Sequence, residues 1–208
     1  MKKNPRLFAA FALIGFAGLF LGCGSQPAAK VPESSIKIEV FNTQKGLPNN
    51  EITALAYYGG QIWAGTKNGL TRYDGVNWQI HVKKNTNALG SDIIEGLSVT
   101  DDALLIATEN GVVRYNSGGF VSVLNGLRAR GVAGKGSTIA IATAHGIEYS
   151  NGGQFAPYGK ENAGLIFDEV NTVGFDKKDR IWAGTRSGMA AFQGSMFQNF
   201  TGPAKTIM

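Results

Sequence analysis

The chain has 208 residues, which is long enough for one ordinary domain with its own core. Its 29 glycines are about twice the usual share of roughly 7%, and they are spread along the chain as in an all-β protein with many turns. The formal net charge is +5, but three basic residues lie in an N-terminal segment that we expect to be removed. No basic stripe with interleaved aromatics remains to indicate nucleic-acid binding. A single cysteine excludes an internal disulfide framework and a cysteine-based metal site.

Residues 1–22 predict a signal peptide. Lys2, Lys3 and Arg6 form a positive start, and the apolar run that follows is about 15 residues long, shorter than the roughly 20 that span a bilayer as a helix. The run ends in Leu-Phe-Leu-Gly-Cys at Cys23, which resembles the lipobox of bacterial lipoproteins. The resemblance implies lipidation of Cys23 and anchoring to a membrane by that lipid. The alternative is an ordinary secretory signal with a chance cysteine.

Residues 23–35 are small, polar and Pro-containing, and they predict a flexible tether between the lipid and a domain at residues 36–208. The residue after Cys23 is Gly24 and not the Asp that resembles an inner-membrane retention signal. We therefore expect a cell-envelope lipoprotein, in the outer membrane and facing the periplasm if the host is Gram-negative.

One hairpin sequence recurs four times in the domain. The clearest copy is residues 62–73, with an Asn-Gly turn between two strands, and it returns almost intact at residues 181–192. A threonine before each turn marks the copies, with spacings of 42, 35 and 42 residues: Thr66, Thr108, Thr143 and Thr185. The downstream aromatics keep the same spacings: Trp78, Phe120, Phe155 and Phe197. Two independent sets of residues with the same spacing indicate a repeat protein.

Each repeat contains four short strands, predicted in the first repeat at residues 52–58, 61–66, 70–73 and 77–82. Gly, Asn and Asp lie between the strands, where tight hairpins need positive φ. A four-stranded unit of about 40 residues in tandem is a β-propeller blade. The sequence thus predicts an all-β fold, a propeller of about four blades, with repeats at about 46–87, 88–125, 126–163 and 164–201.

The Gly-Leu-Pro-Asn-Asn-Glu-Ile sequence from Gly46, followed by Ile-Trp-Ala-Gly-Thr from Ile62, resembles the two-component regulator propeller repeat. The resemblance covers about residues 36–201 and is weaker in the second and third repeats. It implies the periplasmic sensor propellers of hybrid histidine kinases, or their stand-alone secreted relatives. This chain carries no kinase sequence, so the sensing role carries over weakly.

The number of predicted strands does not decide whether the four blades close into a ring. Residues 36–40 alternate apolar and charged residues and predict one further strand, which makes 17 strands for four blades. Three interpretations follow: a small four-bladed ring with an extra edge strand, a partial propeller completed by a second copy as a homodimer, or a truncated product. An open ring exposes strand edges, which soluble proteins avoid, and this slightly favours the small ring.

The loop positions on one propeller face carry our candidate residues for binding a ligand or partner protein. They are Lys67, Asp92, Glu109, Arg128, His145, Asp168 and Arg186. Their mixed charge suits a polar ligand such as a glycan or peptide, although Asn, Asp and Ser also serve turn geometry. We expect Trp63 and Trp182 to pack between blades rather than to stack on sugars.

Nothing in the sequence defines a catalytic constellation, so a non-enzymatic binding protein without cofactor or metal is the first hypothesis. The second is a structural scaffold of an outer-membrane protein complex. The third is a lyase, because the streptogramin lyases resemble this repeat loosely and use His and Glu with a metal, and His145 lies near Glu148. The acidic turn from Asp176 to Asp179 contains two lysines, which argues for a solvated hairpin and against calcium.

Overall fold

The computed structural model describes residues 38–201, and a compact unit begins at Val40. The predicted signal peptide, Cys23 and the tether lie outside the described residues. In the part that is described, no helix is both long and apolar enough to cross a membrane.

Sixteen strands form four antiparallel sheets, and in each sheet the strands are hydrogen-bonded in sequence order. Blade 1 contains β1 (Ile52–Tyr58), β2 (Gln61–Thr66), β3 (Gly69–Tyr73) and β4 (Trp78–His81). Blade 2 contains β5 (Ile94–Val99), β6 (Leu104–Thr108), β7 (Gly111–Asn116) and β8 (Gly119–Asn125). Blade 3 contains β9 (Gly131–Lys135), β10 (Thr138–Thr143), β11 (Gly146–Asn151) and β12 (Ala156–Tyr158). Blade 4 contains β13 (Val170–Phe175), β14 (Ile181–Thr185), β15 (Gly188–Phe192) and β16 (Phe197–Phe200).

The structure confirms the four blades and, to within one residue, the strand limits predicted for the first blade. The seventeenth strand, predicted at residues 36–40, is wrong where it can be checked. Residues 38–40 are not in a strand, and residues 36 and 37 lie outside the described part. A short 3-10 turn at Thr43–Lys45 follows instead. The one α-helix among the described residues is α1 (Lys160–Ala163), in the loop between blades 3 and 4.

The repeated threonine has the same role in all four blades, closing the hairpin between the second and third strands. In blade 1, Thr66 Oγ1 donates to the carbonyl oxygen of Gly69 at 2.8 Å and accepts from the backbone N–H of Asn68 at 3.1 Å. The other three threonines make the same pair of bonds within their own turns. A hydroxyl that satisfies two backbone groups locks the turn, which explains why this residue recurs.

Backbone conformation and close packing both require a glycine after these turns. Gly146 has φ +112°, and a Cβ there would lie 2.2 Å from the carbonyl oxygen of Tyr158. Gly111 is similar, with φ +121° and a Cβ 2.0 Å from the carbonyl oxygen of Leu124. Positive φ and close backbone approach both favour glycine, so the fourth strand can lie directly against the turn.

Three clusters of buried side chains join consecutive blades. Blades 1 and 2 meet through Trp63, Leu70 and Leu104 among others, and the Trp63 and Tyr115 ring centroids are 4.7 Å apart. Blades 2 and 3 meet around Leu105. The third cluster, between blades 3 and 4, is the largest. The prediction that Trp63 packs between blades is confirmed, since its side chain is fully buried.

The four blades form an arc that does not close on itself. The first strands of consecutive blades pack side by side, whereas β13 and β1 make no contact of comparable extent. Within residues 38–201, no buried cluster or hydrogen bond joins blade 4 to blade 1. Both end faces expose apolar side chains at positions that are buried or half-buried in the other blades. The N-terminal end face exposes Ile52, Leu55 and Ile62, and the C-terminal end face exposes Met189, Phe200 and part of Trp182.

Candidate functional site

The hairpins between second and third strands, and the loops between blades, lie at the same end of every sheet because consecutive strands are antiparallel. We call this end the loop face. All seven candidate residues lie on it, but they are not brought together at one point. Lys67 and Glu109 lie in the turns of blades 1 and 2, and within residues 38–201 neither side chain makes a hydrogen bond or ion pair.

Two of the candidate carboxylates are engaged in shaping the loops. Asp92 accepts from the backbone N–H of Lys83 at 2.5 Å, and Asp168 accepts from that of Lys160 at 2.5 Å. Asn50, at the same position of the first repeat, accepts from Thr43 at 2.8 Å. One role repeated in three blades indicates that these side chains position the chain as it enters each blade.

The arginines on the loop face form a charged cluster between blades 2, 3 and 4. Arg130 forms an ion pair with Glu169 at 2.8 Å and donates to the amide oxygen of Asn171 at 3.1 Å. Arg186 approaches the same Glu169 at 3.4 Å, and its side chain is 70% exposed. Arg128 pairs with Glu95 at 2.7 Å. We call these five charged residues the mouth cluster: Glu95, Arg128, Arg130, Glu169 and Arg186.

The mouth cluster stands at one end of a groove of about 620 Å³ that is lined by the first strands of all four blades. Many of the residues that line the groove have small side chains or none, such as Gly96 and Gly131. Glu95, Arg130 and Asn171 add polar groups. A concave surface with a few convergent polar side chains is the usual form of a ligand site.

His145 and Asp168 are the two candidates that share a pocket, a hollow of about 380 Å³ that Lys160 and Glu161 also line. The backbone N–H of His145 donates to Thr143 Oγ1 at 3.0 Å, so His145 occupies a turn position as expected. Its imidazole is exposed. Glu148 lies three residues on, in the middle of β11, and makes no hydrogen bond to His145.

Three side chains, those of Glu169, Glu148 and His81, have pKa values that depart from their usual values, and the surroundings of each explain the direction. The hydrogen bond from Arg130, aided by the charge of Arg186, holds the pKa of Glu169 below its usual value. Burial raises the pKa of Glu148. Burial, with the nearby charge of Arg72, lowers the pKa of His81 to about 4. Glu169 is thus an anion at neutral pH, and His81 is uncharged.

The turn after β13 is a solvated hairpin, as the sequence predicted. The Asp176 carboxylate accepts from Trp182 Nε1 at 3.0 Å and from Arg180 Nε at 2.8 Å, and these bonds, that of Trp182 above all, lower its pKa. Asp179 has a φ of +62°. Among the described residues no group of three or more His, Cys, Asp or Glu side chains is placed to hold a metal ion.

Of the mouth cluster, the sequence predicted Arg128 and Arg186 as candidate residues, but not Arg130, Glu95 or Glu169. The position of these three residues along the repeat could have indicated them. Arg130 precedes the first residue of β9, Glu169 precedes β13, and Glu95 is the second residue of β5, so all three sit where inner strands begin.

No protein-family model matches the sequence, and no curated protein matches it either. Solved structures do match. The extracellular domain of the hybrid two-component system BT3049 from B. thetaiotaomicron matches with a TM-score of 0.65 and 19% identity, over 79% of this chain and 26% of that one. The corresponding domain of BT4673 from the same organism matches with a TM-score of 0.62 and 16% identity, over 76% and 23%.

The chain has the β-propeller fold. Virginiamycin B lyase from Staphylococcus aureus also matches, with a TM-score of 0.58 and 11% identity over 74% of this chain and 57% of the lyase. The two-component-system domains and the lyase are similar to this chain in fold. The chain spans about a quarter of the length of those domains, and at these identities the likeness concerns the fold.

Proposed function

We propose that this propeller is a non-enzymatic recognition module of the cell envelope that binds a polar, anionic ligand at the mouth cluster. The observation that carries the proposal is the fixed Arg130, held by Glu169 and Asn171 at the end of the central groove. The match to extracellular domains of two-component systems supports a binding role outside the cytoplasm.

An anionic ligand is favoured because cations outnumber anions in the mouth cluster. Three guanidinium groups share two carboxylates, and Arg186 has the longest of the contacts. The side chains of Arg128 and Arg186 are 51% and 70% exposed, so both can reorient toward a ligand. A guanidinium binds a carboxylate through two parallel hydrogen bonds, which gives it an advantage over a lysine in such a site.

The lyase hypothesis has less support than the binding hypothesis. It needs His145 and Glu148 to act on one substrate, but His145 lies exposed in a turn and lines a pocket to which Glu148 does not contribute. A fold likeness at 11% identity carries no residue-level argument.

The envelope location is part of the proposal. A signal peptide over residues 1–22 and lipidation of Cys23 would anchor the propeller, with residues 23–35 as the tether. Substituting Cys23→Ser should release the protein from membranes into the soluble fraction and remove palmitate labelling. Unchanged membrane association of the variant would contradict the anchor.

Binding at the mouth cluster can be tested with two matched trisaccharides, trigalacturonate and its neutral counterpart galactotriose, titrated into the full chain by calorimetry. We expect the acid to bind at least tenfold more tightly, and the difference to shrink at high salt. Arg186→Ala should weaken acid binding about tenfold. Lys177→Ala removes an equal charge from the opposite end of blade 4 and should have no effect. Equal binding of both sugars, binding of neither, or equal effects of the two variants would overturn the proposal.

The two end faces of the arc favour assembly with a second copy, which we propose as the partner. Ile52 and Ile62 occupy the positions of Ile94 and Leu104, which lie buried between blades 1 and 2. Met189 occupies the position of Leu70 on the other side of that same contact. Each chain therefore carries both halves of one inter-blade contact.

Two copies joined head to tail, with blade 4 of each on blade 1 of the other, would bury all the exposed end-face positions in a ring of eight blades. Phe41 already packs on Tyr73 and Trp78, with centroids 5.1 and 5.3 Å away, so the outer part of the N-terminal end face is covered within the chain. The scaffold hypothesis predicts other membrane proteins as partners instead of a second copy. If it holds, a pull-down from solubilised membranes should yield a stoichiometric complex with those proteins.

A further inference from the structure

A cavity of about 360 Å³ lies between blades 3 and 4, at the end of the blades opposite the loop face. It is separate from the mouth cluster, and no candidate residue from the sequence lines it. Its lining combines three aromatic rings with charged side chains, chiefly Lys135, Tyr149, Phe175, Asp179, Arg180 and Phe192.

The blade beside the cavity differs from blade 1 at one large side chain. Ala140 occupies the position that Trp63 holds in blade 1, three residues before the repeated threonine. Trp63 is fully buried against Tyr115, and its Nε1 donates to the carbonyl oxygen of Tyr58 at 3.2 Å, so the indole points away from the loop face.

Two counterparts of residues around Trp63 line the cavity. Lys135 corresponds to Tyr58, and Phe192 corresponds to Tyr115. An alanine methyl group fills little of the volume of an indole. Ala140 does not itself line the cavity, but it pairs across the sheet with Tyr149, which does.

The walls and the rim of the cavity differ in chemistry. Inside, the Tyr149 and Phe192 rings lie 5.5 Å apart at 58°, and Phe175 adds a third ring. At the rim, Lys135 forms an ion pair with Asp179, and both side chains are more than half exposed. An exposed pair of this kind contributes little energy, so the ammonium group is free to exchange its partner for a ligand anion.

We propose that this cavity binds a small planar aromatic compound that carries a carboxylate. The ring would lie against Tyr149 and Phe192 in tilted or offset contact, which is the arrangement that aromatic rings prefer. The carboxylate would pair with Lys135 at the rim. Most of the ligand would be enclosed by side chains already in place, as is usual for small-molecule sites.

The test uses indole-3-acetate and indole as probes, titrated into the full chain and followed by NMR and calorimetry. We expect indole-3-acetate to bind at least threefold more tightly than indole, with contacts from indole protons to the rings of Tyr149 and Phe192. Ala140→Trp should weaken binding of both probes at least tenfold, because the new indole would lie beside Tyr149, the lining residue that pairs with Ala140.

A second variant guards against misfolding of Ala140→Trp. Lys135→Met changes an exposed side chain and should lower the affinity for indole-3-acetate to that for indole. The control Lys84→Met, at an exposed lysine on the loop face, should leave the affinity for both probes unchanged. Absence of binding, contacts to other rings, or an unchanged preference in Lys135→Met would overturn the proposal. Arg186→Ala should leave both probes unaffected, which separates this site from the mouth cluster.

Discussion

Thr66 and Gly69 are joined by a buried hydrogen bond of 2.8 Å, from the threonine hydroxyl to the glycine carbonyl oxygen. The same bond spans the equivalent turn of every other blade, at 3.0 Å in each. The residue that varies is the one after the threonine: Lys67, Glu109, Ala144 or Arg186. Folding therefore fixes the recurring threonine and glycine, while the varying position is free for recognition.

Replacing Thr66 with valine keeps the side-chain shape but removes this bond. The carbonyl of Gly69 and the N–H of Asn68 both lose their partner, and we expect a loss of about 1–3 kcal/mol in the free energy of unfolding, measured with urea. Thr53→Val is the control, because the Thr53 hydroxyl is buried and has no hydrogen-bond partner in the described structure. It should be neutral or stabilising. Equal losses in the two variants would refute this role for the hydroxyl.

The glycine after the turn gives a second test. Gly146→Ala should cost at least about 2 kcal/mol, since the new methyl group meets the Tyr158 carbonyl oxygen and the backbone has positive φ. Gly153→Ala adds the same methyl group in open space with no unusual φ, and should change stability by less than about 0.5 kcal/mol. Thermal and urea unfolding of both variants would decide, and a tolerated Gly146→Ala would show that the fourth strand can move away.

Stability should fall in mild acid because of His81. Its pKa is about 4 in the folded protein, against an ordinary value of 6.5 for an exposed histidine, so between these values the unfolded chain binds the proton more tightly. The stabilisation is present above pH 6.5 and is lost as the pH falls toward 4. Linkage gives a loss of about 2 kcal/mol between pH 7 and pH 5.

His81→Phe tests this origin, because Phe200 occupies the equivalent position in blade 4. Urea unfolding of the variant should lose most of the pH dependence between 7 and 5 while keeping the packing against Trp63 and Phe120. If the variant shows the same slope as the parent protein, another group causes the acid sensitivity.

Substitutions at the N-terminal end face should affect assembly and not folding. Ile62 is 41% exposed, and Ile62→Glu should leave the unfolding transition in place while preventing a second copy from binding. Leu104→Glu, at the equivalent buried position of blade 2, should unfold the chain. Val121→Glu, at an exposed site on the outer strand of blade 2, is the control that should alter neither. Circular dichroism and sedimentation would separate these outcomes.

The repeat made the fold readable from the sequence. Spacing of the threonines and aromatics predicted four blades, and turn glycines and asparagines located the hairpins, because these features depend on local backbone geometry. The strand expected at residues 36–40 failed for the three residues that can be checked, since alternation of apolar and charged residues does not supply a partner strand.

The candidate site was predicted less well because it depends on contacts between blades. For Asp92 and Asp168 the sequence left both ligand binding and turn geometry open, and in the structure each accepts from a backbone N–H of the preceding loop. Arg130 and Glu169 are 39 residues apart and meet only through the packing of blades 3 and 4. The cavity lined by Tyr149 and Phe192 likewise shows only when two blades are placed together.

The most direct test of the account is the mass of the full chain, purified in mild detergent and measured by native mass spectrometry. If the two end faces are halves of one contact, the spectrum should show two copies of the chain, and Ile62→Glu should convert them to single copies. A parent protein that stays a single copy at micromolar concentration would contradict the assembly of two open arcs into one propeller.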